Sequence, residues 1–177
     1  MEPADKFKLV LLGAGALALA VYASGGEAEE EALTYPSVEA CVTAGVTDEA
    51  TCEAEFAKAQ SIHNQVAPRY TNSNDCYSEF GYDRCYQHRA SSGGSVWLPF
   101  MMGYMLAPRF GSGVFTQPLY RPSHDPNRFY TSGSGRVGAV SADGRTRVAK
   151  SQTRQPRART RTVARGGFGA RAYSSGG

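Results

Sequence analysis

YPSVEACVTAGVTDEATC, residues 35–52, and YTNSNDCYSEFGYDRC, residues 70–85, hold all four cysteines of the chain in two look-alike halves. Each half opens on a tyrosine, places a cysteine six residues later, and places a second cysteine eleven or nine residues beyond that. Four cysteines allow three connectivities, and the repeat favours Cys41 with Cys52 and Cys76 with Cys85. The local signals around them are helical. Ser37 is a candidate N-cap for a short helix over 38–44, with Gly45 as its stop. Thr47 is placed to cap a longer helix, with Asp48 and Glu49 in its first turn. Cys52, Phe56, Ala59, His63 and Val66 then fall on one helical face, and Pro68 ends the run. In the second half Ser73 or Asn74 caps a helix over 75–80, Gly81 stops it, and a further turn carries Cys85. These readings predict a mostly α fold: a small, disulfide-stapled helical-hairpin domain followed by a long, irregular, low-complexity C-terminal region.

Outward from this centre, the net charge of +3 conceals two blocks. Nine acidic residues and no Lys or Arg lie between Glu27 and Glu55, and nine basic residues and no acid lie from Arg145 to the C-terminus. Such blocks read as solvated, self-repelling segments. The N-terminus carries Lys6 and Lys8 before the apolar run 9–22, which fits a signal-peptide core or an N-terminal anchor better than a full span. The division expected is therefore 1–25 leader or anchor, 26–34 acidic linker, 35–90 cysteine-repeat domain, 91–130 apolar strip and turn-rich segment, and 131–177 basic, Gly/Ser/Arg-rich disordered tail. The leader and the cysteines together point to an exported chain, in the periplasm or anchored facing it.

The apolar strip VWLPFMMGYML, residues 96–106, is too short to span a bilayer and is broken by Pro99 and Gly103. Trp97, Phe100, Met101, Met102, Tyr104 and Met105 are candidates for docking to a membrane surface or a partner. The three methionines offer thioethers that suit Cu(I), but methionine more often fills apolar contacts. The cysteine gaps do not match zinc knuckles or a redox C-x-x-C pair. His63, His88 and His124 are scattered, and no nucleophile motif or phosphate loop accompanies them. No catalytic, cofactor-binding or metal-binding residue is assigned, and no cofactor is expected.

NDCYSEFGYDRC at 74–85, SGGSVWLPFMMGYML at 92–106, QPLY at 117–120 and RGGFG at 165–169 follow one another in an order that resembles the YgiB-like proteins, a bacterial family of unknown function. The resemblance implies an envelope protein. Some members carry a lipobox cysteine after the leader, but the matching position here is about Gly25, so that anchor is not available. Genes of the family often lie near an ATP-grasp enzyme similar to glutathionylspermidine synthase, and the family brings no established catalytic residues. The expected role is a non-enzymatic interaction or scaffold component of the envelope, meeting an envelope protein or an anionic membrane surface, with oligomeric state open. One alternative is an envelope metal- or ligand-binding module. The other is a cytoplasmic RNA-binding protein using the arginine-rich tail, although an exported chain makes nucleic acid an unsuitable partner.

Overall fold

The strip at 96–106 forms two separate strands in the computed structural model, which describes residues 27–89, 93–108, 114–163 and 167–169. The leader at 1–25 and part of the arginine-rich C-terminus lie outside the described residues. The described elements are β1 (Glu29–Tyr35), α1 (Val38–Ala44), α2 (Glu49–Val66), α3 (Ser73–Phe80), β2 (Cys85–Arg89), β3 (Ser95–Pro99), β4 (Gly103–Pro108), β5 (Val114–Tyr120), β6 (Tyr130–Thr131) and β7 (Arg145–Ala149), with a 3-10 turn at Lys150–Thr153. The expectation of a mostly α fold is overturned. A five-stranded antiparallel sheet, in the order β6-β5-β4-β1-β7, forms the body of the molecule, and β2 pairs with β3 in a separate hairpin.

β4 shows why the strands were hidden. It is the central strand, and Gly103 through Ala107 are all buried. Side chains alternate across a strand. Tyr104 and Leu106 pack with Tyr35, Cys41, Cys52 and Ala59 beneath the helices. Met105 and Ala107 pack with Phe115, Leu119, Phe129, Val137 and Val148 on the opposite face. A strand covered on both faces reads as an unbroken apolar run and loses its alternation. Pro99 and Gly103 do break a helix, as read, but they end one strand and begin the next. At Gly103 an added Cβ would sit 2.7 Å from the Tyr35 carbonyl oxygen, so β1 and β4 approach too closely there for any side chain.

Each charge block supplies one strand, β1 from the acidic block and β7 from the basic block, and the two strands are partners. Glu31 lies opposite Arg147 and Leu33 opposite Arg145 in the β1–β7 ladder. The Arg145 guanidinium donates to Glu31 and to Asp143, and Lys150 lies 3.7 Å from Glu30. These pairs are solvent-exposed and favour the register more than the stability. Within the basic block, Thr146 and Val148 are buried while Arg145 and Arg147 face out, a period-two pattern. The turn leading into β7 crosses Tyr35, whose hydroxyl donates to the Asp143 carbonyl at 3.2 Å. Gly144 takes a φ of +86°, and a Cβ there would meet the Tyr35 ring at 2.2 Å, so the site requires glycine twice over.

The helices follow their local chemistry closely. Ser37 caps α1 by accepting from the Ala40 N–H, and Gly45 closes it in the left-handed conformation. α2 is capped by Asp48 rather than Thr47, with the Thr51 N–H donating to Asp48 Oδ1 at 2.9 Å. α3 is capped by Asn72, one or two residues ahead of the expected Ser73 or Asn74, and is stopped at Gly81. Cys41–Cys52 ties α1 to α2, and Cys76–Cys85 ties α3 to β2, so Cys85 starts a strand rather than a further helical turn. Each bridge closes a loop short enough to contribute about 2.5–3 kcal/mol through the unfolded chain. Both fit an oxidising, non-cytoplasmic location. None of the described helices is long and apolar enough to cross a membrane.

Beyond the 3-10 turn the described chain has no helix or strand, as expected, but it packs against the fold. The Arg159 N–H donates to the Gln65 carbonyl and the Val163 N–H to the Arg69 carbonyl, laying the strap along the end of α2. Phe168, from the RGGFG segment, is fully buried against Phe80, Tyr120 and Tyr130.

Candidate functional site

The expected docking strip divides between interior and surface. Tyr104 and Met105 are fully buried in the sheet and present nothing to a membrane or partner. Trp97 is half-buried and pairs with Tyr70 through two backbone hydrogen bonds of 2.8 and 2.9 Å. Met101 and Met102 are half-buried, and Phe100 is 46% exposed. Phe100 and Met101 remain as surface candidates, and they stand beside α2.

There, α2 and the β2–β3 hairpin enclose an open pocket of about 340 Å³. Helical spacing aligns Phe56, Gln60, His63 and Asn64 along one wall. Tyr86 of β2, Phe100 and Met101 form the other. The rings stack in a column: His63 to Tyr86 at 6.2 Å and 30°, then Tyr86 to Phe100 at 5.2 Å and 27°. Tyr86 is fixed by its hydroxyl, which donates to Asn64 Oδ1 at 2.5 Å. Phe56 is held edge-on against Tyr104.

His63 is 7% exposed. Burial holds its imidazole down at about 4, the nearby His88 adds to the shift, and the Pro99 carbonyl opposes it. The ring is therefore neutral at ordinary pH. Its Nδ1 lies 3.1 Å from the hydroxyl of Tyr120, a phenol pushed well up by burial. Its Nε2 is buried, and the Pro99 carbonyl stands as a backbone acceptor beside the ring.

The other histidines are elsewhere. His88 lies on β2, and His124 stands 3.6 Å from the buried Glu79 carboxylate. Among the described residues no three of His, Cys, Asp and Glu gather as a metal site. Two larger open hollows, of about 540 and 590 Å³, run beside the strap, with Arg154 and Gln155 in both walls. Phe56 and His63 were legible as one helical face. Tyr86 and Phe100 were not, because only the hairpin brings them to α2.

Fold and site define a small, disulfide-stapled domain with a central antiparallel sheet, helices on one face and an aromatic pocket at the helix–hairpin junction. The chain belongs to the family described as proteins of unknown function, DUF1190, whose model matches residues 29–176. Similar proteins include a UPF0441 protein of Klebsiella pneumoniae, 33% identical over 175 residues that cover 86% of this chain and 78% of the relative. A UPF0441 protein of Yersinia pestis is 31% identical over 179 residues, covering 86% of this chain and 78% of its own. One of Pectobacterium atrosepticum is 30% identical over 172 residues, covering 87% and 77%. No solved structure matches.

Proposed function

We propose that the chain is exported and works as a non-enzymatic interaction component of the cell envelope, at a membrane surface facing the periplasm. The observation that carries this reading is the pair of disulfides built into the fold, with both members of the Cys41–Cys52 bridge fully buried between α1, α2 and the sheet. Bridges at such positions suit an oxidising compartment. The basic flank and apolar run at 6–22 supply the export signal this reading needs.

Arg145 and Lys150 are engaged with β1 carboxylates. Arg147 of β7 and Arg154, Arg157 and Arg161 of the strap are exposed cations available to meet an anionic surface. A reporter enzyme that matures only outside the cytoplasm, fused after Gly177, is expected to be active. Activity restricted to a reporter that works only in the cytoplasm would contradict export.

A further inference from the structure

We propose that the pocket between α2 and the β2–β3 hairpin binds a small, planar, uncharged aromatic molecule that carries a carbonyl oxygen. This goes beyond the envelope role above and does not depend on it. The first support is the ring column. His63, Tyr86 and Phe100 lie within about 30° of parallel from one ring to the next, and the column ends on a Phe100 ring that is 46% exposed. Phe80, Phe115, Phe129 and Phe168 are each 9% exposed or less. A half-exposed phenyl ring at the mouth of an aromatic-lined pocket presents a flat apolar face without a partner among the described residues. A planar ring covers such a face by offset stacking, which a puckered saturated ring cannot reproduce.

The second support is charge. Among the described residues no Asp, Glu, Lys or Arg lines the pocket, and its histidine is neutral. An ionised ligand would lose hydration there and gain no counter-charge. The third is the polar rim. The side-chain amides of Gln60 and Asn64, four positions apart on α2 and both exposed, offer N–H donors to a carbonyl oxygen. A volume of about 340 Å³ has room for one or two fused rings.

The test is a chemical-shift titration of the full-length, oxidised chain with three probes. 2-Naphthamide is planar, uncharged and bears a carbonyl. 2-Naphthoate keeps the rings but is ionised, and cyclohexanecarboxamide keeps the amide but loses the flat ring. The expected result is saturable shifts at His63, Tyr86 and Phe100 with 2-naphthamide in the millimolar range, and responses about tenfold weaker or less with the other two. Phe100→Ala is expected to weaken 2-naphthamide about tenfold. Tyr82→Ala, which removes a ring that is 79% exposed and outside the pocket, is expected to leave binding unchanged. The proposal is overturned by an absence of saturable shifts at the pocket residues, by equal affinity for the three probes, or by unchanged affinity in Phe100→Ala.

Discussion

Phe168→Ala is expected to lower the unfolding free energy by about 3–5 kcal/mol, the range for removing a buried phenyl ring from a packed core. Phe168 is fully buried and lies 5.1 Å from Phe80 and 6.1 Å from both Tyr120 and Tyr130, centroid to centroid. Those three rings come from α3, β5 and β6, so one side chain near the C-terminus closes a cluster drawn from across the fold. Its loss leaves a cavity among aromatic rings and removes the distal anchor of the strap, whose remaining ties include the backbone bonds at Arg159 and Val163. Urea unfolding of the oxidised protein measures the change. A loss below about 1 kcal/mol, the scale of an ordinary surface substitution or little more, would mean that the strap does not close this core.

Acid is expected to destabilise the protein through His63. The unfolded imidazole titrates near 6.5, and burial lowers the folded value to about 4. Between those values the unfolded chain binds the proton and the folded chain does not. Stability is therefore fully present above pH 6.5 and is lost as pH falls towards 4. At pH 4.5 the loss from this one group is about 2.5 kcal/mol. His88 lies close enough to add to the shift, while the Tyr120 and Tyr86 hydroxyls stay neutral throughout this range. His63→Gln keeps an acceptor for Tyr120 and removes the titration. Comparing unfolding free energies at pH 7 and pH 4.5, the native protein should lose about 2.5 kcal/mol more than the variant. Equal losses would show that His63 is not held neutral by burial.

The helices and the cysteine pairing were legible because their determinants are local. Ser37, Gly45, Pro68 and Gly81 act on backbone within a few residues, and a repeat places each cysteine near its partner. The sheet depends on contacts far apart in the chain. β1 meets β7 across more than a hundred residues, and nothing within EEEALTY announces a partner. Opposite charge on the two blocks was the available signal, but charge alone allows a contact between them without fixing a strand or a register. In β4, burial of both faces erased the alternation that marks a strand. Phe168 was hidden among glycines and arginines, where a single aromatic gives no periodicity. In the pocket, Phe56 and His63 followed from helical spacing, but Tyr86 and Phe100 reach it only after the hairpin has formed.

The central claim is that the acidic and basic blocks each supply one strand, β1 and β7, to the same sheet. Native-state amide exchange across Arg145–Ala149 tests it most directly. The paired β7 amides should exchange through opening of the sheet, with protection approaching that of β4 (Gly103–Pro108). Exchange across Arg145–Ala149 at the rate of an unstructured chain would contradict the account.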